Sequence, residues 1–239
     1  MDALIIGIDL SFSRTGITFM VVHDHDVTSV EFHRVMFDDQ SRKDNRDYSP
    51  EHVININDTV YRLPSNITST KLHMSLGNMN NLDQCDITLK SMIATKKIMN
   101  IILDKVTRCK PSMMIVGIEN YIMPAYGGKA SLKIVGGLIS LQALVRSKII
   151  EYCLSNDIII RLDTPTASEL KYFFSSHGGS SKDDMCDIFV KMWDGKKLLP
   201  VVETSKVNDV IDSFALACKC YYSHVKQELM LMKLSSKHV

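Results

Sequence analysis

Leu4-Ile5-Ile6-Gly7-Ile8-Asp9 is an unbroken apolar run closed by an acid. A run so short and so apolar reads as a strand with the carboxylate at its end. The pattern recurs in Met113-Met114-Ile115-Val116-Gly117-Ile118, which Glu119 closes. A third acidic group lies in Val207-Asn208-Asp209-Val210-Ile211-Asp212-Ser213-Phe214-Ala215. Asp209 and Asp212, three apart, are neighbours on one helical face. Val210, Ile211, Phe214 and Cys218 form the apolar stripe beside them, which turns both carboxylates toward the sheet.

Singly, each of these acids reads as a turn, cap or solvated helix charge; their joint placement points to a site. Four convergent carboxylates repel one another unless a cation lies between them, and hard divalent ions take oxygen ligands. Such a set can hold two ions, Mg²⁺ or Mn²⁺, about 3.5–4 Å apart, one activating water and one stabilising the leaving oxygen. That is the chemistry of phosphodiester hydrolysis.

Working outward, residues 17–22 and 28–37 read as further strands. The turns Ser11-Phe12-Ser13-Arg14-Thr15-Gly16 and His23-Asp24-His25-Asp26 join them to the first, predicting an antiparallel meander. Residues 38–86 are polar and too long for a plain loop in a compact domain. They read as an insertion after the third strand, with room for a short strand near 53–56. The helical period then predicts helices over 87–109 and 131–156, with a strand at 113–119 between them and another at 157–162. Thr164-Pro165-Thr166 marks a helix start, with Pro suited to the first turn. Helices over 182–194 and 205–226 complete an α/β chain: a mixed five-stranded sheet flanked by helices.

The 239 residues fit a single domain, 1–239, with the 38–86 insertion inside it. Net charge is +1, so any nucleic-acid surface must be a local concentration of positive charge. The six cysteines form no CxxC pair and read as buried, reduced thiols. No apolar run reaches membrane-spanning length, and the N-terminus reads as a strand rather than a signal peptide. The expectation is an intracellular protein of a reducing compartment, neither secreted nor membrane-bound.

The opening Ile6-Gly7-Ile8-Asp9-Leu10-Ser11-Phe12-Ser13-Arg14-Thr15-Gly16 resembles the first motif of RuvC-type Holliday junction resolvases, within the RNase H-like superfamily. Ile118-Glu119-Asn120-Tyr121 is similar to their second acidic motif. Asp209-Val210-Ile211-Asp212-Ser213-Phe214-Ala215-Leu216-Ala217 is similar to their C-terminal Asp-x-x-Asp-Ala-x-Ala helix. The resemblance spans most of the chain outside 38–86. It departs at Leu10-Ser11, where the family commonly has Pro-Gly, and at Ile122, where it often has an aromatic.

The resemblance implies an RNase H-like fold and a metal-dependent endonuclease of DNA recombination or repair, acting as a homodimer to resolve four-way junctions by paired nicks. The alternatives are a related nuclease for flaps, forks or other branched DNA, and a catalytically weak nucleic-acid-binding relative. Asp9, Glu119, Asp209 and Asp212 would hold the metals, and Lys182 matches a basic position near the scissile phosphate. Arg14, Tyr121, Ile122, Tyr126, Lys129 and Lys133 are the candidate DNA contacts. The Tyr126-Gly127-Gly128-Lys129 loop is suited to phosphate approach and base stacking.

Overall fold

The computed structural model describes residues 2–12, 14–38, 53–56, 59–62, 67–73, 84–120, 132–193 and 208–227. Strands β1 (Asp2–Asp9), β2 (Arg14–His23) and β3 (Asp26–Asp38) form the expected antiparallel meander. Asp24 and His25, at φ 46° and 71°, make the β2–β3 turn. Two left-handed residues are what a two-residue hairpin loop needs to follow the twist of its strands.

In the segment expected to be an insertion lie β4 (Val53–Ile56), β5 (Thr59–Arg62) and β6 (Ile67–His73). Beyond it come β7 (Met113–Ile118), parallel to β1, and β8 (Ile159–Asp163), parallel to β7. The strand order is β6-β3-β2-β1-β7-β8. Within it, β3-β2-β1-β7-β8 is the expected mixed five-stranded sheet, with β2 antiparallel to the rest.

The sixth strand is an addition to the expectation. β6 pairs in parallel with β3 at the edge of the sheet, while β4 and β5 form a separate hairpin. Ile67-Thr68-Ser69-Thr70-Lys71-Leu72-His73 looks like loop composition because it is polar. Its Thr and Ile residues nevertheless favour extended backbone, and an edge strand needs little apolar surface.

Helices α1 (Gln84–Cys109) and α2 (Leu132–Ser155) cover one face of the sheet. There Leu4, Ile6 and Ile8 pack with Ile98, Ile102, Leu141 and Val145. Helices α3 (Ala167–Ser175), α4 (Lys182–Trp193) and α5 (Asn208–Tyr221) cover the other, where Ala3 and Ile5 pack with Phe174, Phe189 and Phe214. Successive strand residues point to opposite faces, so a strand covered on both sides must be apolar throughout. That explains the unbroken run in β1, and alternation places Asp9 on the face of α5. Phe214 anchors α5 by edge-on contacts to Phe189 (5.1 Å) and Phe174 (6.1 Å).

Pro165 does not enter the first turn of α3. Thr166 is the N-cap, and Thr166 and Glu169 bond to each other's backbone amides in a capping box. The reciprocal pair satisfies two helix-end donors that Pro at that position could not.

Two glycines let α5 lie with its backbone against the sheet. A Cβ on Gly7 would stand 1.9 Å from the Ser213 carbonyl oxygen, and one on Gly16 would stand 1.9 Å from that of Asp209. Thr18, in the same trough, shares a 2.8 Å hydrogen bond with the Ser213 hydroxyl. Gly136, inside α2, has open space where a side chain would go.

Gly7→Ala should therefore cost about 3 kcal/mol by overpacking. Gly136→Ala should gain about 0.5–1 kcal/mol from helix propensity and chain entropy. Urea denaturation of the two variants checks both; equal effects would mean that α5 is not held by this contact.

Candidate metal centre

The site is built on one level of the sheet. Arg34 of β3 is paired with Gly16 of β2, and Gly16 with Asp9 of β1. Ile8 is the register partner of Ile118 across the parallel β1–β7 pair, so Asp9 and Glu119 leave adjacent strands side by side. Gly16, having no side chain, leaves the space above itself to the first turn of α5, which brings Asp209 there and Asp212 one turn on.

Local hydrogen bonds hold each contributor. Thr15 Oγ1 donates to the Ser11 carbonyl (3.0 Å) and accepts from the Ser11 amide (3.2 Å), closing the turn after Asp9. The Gln142 side-chain amide donates to the Glu119 carbonyl, and the Asn120 amide donates to the Pro165 carbonyl (2.8 Å). Together they fix the backbone around Glu119. Ser181 and Asp184 exchange backbone and side-chain hydrogen bonds at the start of α4, which puts Lys182 in its first turn.

The charges interact strongly. Burial, then the negative charges of Asp212, Glu119 and Asp209, hold the Asp9 carboxyl well above the usual carboxylate range, while Lys182 pulls the other way. Burial and Asp212 push Glu119 up to about 7, against Lys171. Burial raises Asp212 to about 6, with Asp209 adding to it and Lys182 and Lys171 opposing. Asp209 is held differently. Arg34 donates from Nε to its Oδ2 (2.6 Å) and from Nη2 to its Oδ1 (2.8 Å), both residues being buried.

Of the residues expected at the site, Asp9, Glu119, Asp209 and Asp212 thus lie near enough to act on one another's charge, and Lys182 acts on Asp9 and Asp212. Arg14 opens β2 on the same side as Gly16, one step beyond Asp9. Tyr121, Ile122, Tyr126 and Lys129 lie outside the described residues, and of Lys133 only its place in the first turn of α2 is described. Two participants went unanticipated, Arg34 and Lys171. The signal for Arg34 was a charge two residues after Phe32, on the buried side of β3. For Lys171 it was a lysine next to buried Leu170 in the short helix that precedes the Gly178-Gly179 break.

Hard oxygen donors that raise one another's affinity for protons are chemically suited to a divalent cation, which removes the repulsion. Among the described residues no three His, Cys, Asp or Glu side chains are already gathered around one ion position. The fit is therefore one of donor chemistry and charge.

No family model matches the chain, and no curated protein matches it in sequence. Among the solved structures it is similar to are Holliday junction resolvases. Thermus thermophilus RuvC is 12% identical over 92% of this chain and 95% of its own, at a TM-score of 0.43. The same protein in complex with a Holliday junction substrate is 12% identical over 91% and 93%, at 0.42. The yeast mitochondrial Holliday junction resolvase Ydc2 is 11% identical over 96% and 83%, at 0.45. Likenesses this distant decide nothing about chemistry, which has to come from the chain's own residues. None of its described helices is long and apolar enough to cross a membrane, and the described cysteines Cys109, Cys153, Cys186, Cys218 and Cys220 are free thiols.

The raised carboxyls carry a pH signature. Where the folded pKa of an acid exceeds the unfolded one, the folded state binds more protons between the two values, and stability falls as pH rises through that window. With chelator present, the melting temperature should fall from about pH 4 toward pH 7, the range spanned by the ordinary and raised values of Asp212 and Glu119. Mg²⁺ should flatten the slope. Glu119→Gln isolates the site's share from that of His33, whose pKa is lowered by burial and acts in the opposite sense. A melting curve whose pH dependence is untouched by Glu119→Gln would show that these carboxyls are not crowded together.

Proposed function

We propose that the chain is a metal-dependent endonuclease that resolves four-way DNA junctions by paired nicks. The observation that carries this reading is the acidic row. Asp9, Glu119 and Asp212 come from three elements far apart in sequence, sit beside one another at a cost in charge repulsion, and have two lysines acting on them. Clustered acids with strongly shifted pKa values mark chemistry more often than structure.

Asp9, Glu119 and Asp212 would hold Mg²⁺ or Mn²⁺, and Asp209 stands next to them. The bound cation would supply an activated water and neutralise phosphate charge. Lys182, whose charge acts on both Asp9 and Asp212, is suited to balance the negative charge that grows on the phosphoryl oxygens. Lys171, acting on Glu119 and Asp212, is suited to help orient the phosphate. Arg14, Tyr121, Ile122, Tyr126, Lys129 and Lys133 are proposed to extend the DNA surface, which at a net charge of +1 has to be local. The resemblance of the acidic motifs to those of junction resolvases is what favours a junction among branched DNA substrates. Two symmetric nicks call for two such sites, hence a homodimer.

The test is cleavage of a synthetic four-way junction, a fork, a flap, linear duplex and an RNA–DNA hybrid, with Mg²⁺ or Mn²⁺ and with chelator. Paired junction nicks that need the ion are expected. Asp9→Asn should abolish cleavage and keep junction binding, and Lys182→Ala should slow cleavage by about 10²–10³-fold, the usual worth of one charge-stabilising group. Preferred cutting of flaps, forks or hybrid would keep the nuclease and replace its substrate. Cleavage that survives Asp9→Asn would overturn the site.

A further inference from the structure

Resting on the reading of the acidic row as a metal centre, we propose that Arg34 removes Asp209 from the ion-binding set. Asp9, Glu119 and Asp212 are then the ligands, and Asp209 is a positioning residue that fixes α5 above the sheet.

The contrast lies in how each acid meets its positive neighbour. Both oxygens of Asp209 accept hydrogen bonds from one guanidinium, at 2.6 and 2.8 Å. The paired geometry is the one in which Arg matches a carboxylate most closely. Arg34 is 1% exposed and Asp209 7%. Arg keeps its proton under all working conditions, so the neutralisation of Asp209 is permanent. For Asp209 to turn to an ion it would have to give up charge-assisted bonds inside a buried pair, an expensive step. The lysines acting on the other acids are of another kind. Lys182 is exposed and Lys171 half-buried, and both have flexible stems that can move when an ion or a phosphate arrives.

The register gives the pair its positioning role. Arg34 stands directly across from Gly16, and Gly16 directly across from Asp9. The Asp209 backbone presses on Gly16, while its side chain reaches sideways to Arg34. The first turn of α5 is thus pinned at two points, and Asp212, one turn further, is delivered next to Asp9 and Glu119.

The experiment is Mn²⁺ binding, read from the free-ion electron paramagnetic resonance signal, together with thermal melts of each variant. Asp9→Asn and Asp212→Asn should weaken Mn²⁺ by at least about tenfold, whereas Asp209→Asn should stay within about threefold of the parent, less than even an indirect partner of a ligand commonly costs. Asp209→Asn should melt at a lower temperature, since a buried, doubly hydrogen-bonded ion pair is broken. Arg34→Met releases Asp209 and should tighten Mn²⁺ binding or admit a second ion, which a merely structural salt bridge would not do. If Arg34→Met does not fold, Asp209→Asn decides alone. Loss of Mn²⁺ in Asp209→Asn as deep as in Asp9→Asn, or unchanged affinity in Arg34→Met, would overturn the proposal. If Asp9→Asn and Asp212→Asn keep their Mn²⁺, the metal-centre reading fails instead.

Discussion

A helix backbone resting on a sheet with no side chain in between is the constraint on which the rest of this molecule depends. At Gly7 and Gly16 even a methyl group would collide with the main chain of α5. Without that approach, Asp209 and Asp212 would ride higher above the sheet than Asp9 and Glu119, and the acids would not share one level. Within the contact the Thr18 and Ser213 hydroxyls share a 2.8 Å hydrogen bond, and the Ser213 hydroxyl also donates to the Val210 carbonyl at 2.9 Å. Below it, the ring contacts of Phe214 with Phe174, Phe189 and Phe32 supply the apolar burial that holds the helix down.

The electrostatics follow from the same geometry. A lateral row across three strands runs Arg34, Gly16, Asp9, and Glu119 continues it beside Asp9. Charge changes sign along that row. At one end an acid and a base are closely bonded to each other; at the other, acids face acids and are kept protonation-prone by burial. The first half is an ordinary buried ion pair, which contributes order more than stability. The second half is electrostatically unsatisfied, and such frustration in an otherwise consistent fold is commonest where function has set the residue choice.

Much of this was legible in the sequence, for identifiable reasons. Strands β1 and β7 are short, apolar throughout and closed by acids, so both their existence and the positions of Asp9 and Glu119 could be read directly. The three-residue spacing of Asp209 and Asp212 fixed their common helical face. What could not be read was partnership. Nothing local in β3 says that Arg34 lies opposite a glycine and beneath a helix that arrives far later in the chain. Lys171 is an unremarkable lysine until α3 docks beside Glu119. β6 escaped because Thr and Ser serve turns and edge strands equally well, and only the open edge of β3 selects between them. Pro165 misled by one residue because the reciprocal bonds of Thr166 and Glu169 outweigh the preference of proline for a first turn.

The order of strands in space is not their order along the chain, and this has a consequence for biosynthesis. β1 is made before every other strand described, yet it lies in the middle of the sheet, with β7 on one side and α5 across its face. A nascent chain emerging from the ribosome can form the β1–β2–β3 meander at once, but the face of β1 bearing Ala3 and Ile5 stays uncovered until the last described helix appears. Contacts between residues so distant along the chain are slow to form. Asp9 is therefore made well before its partners, and the acidic row closes only once α5 has been made.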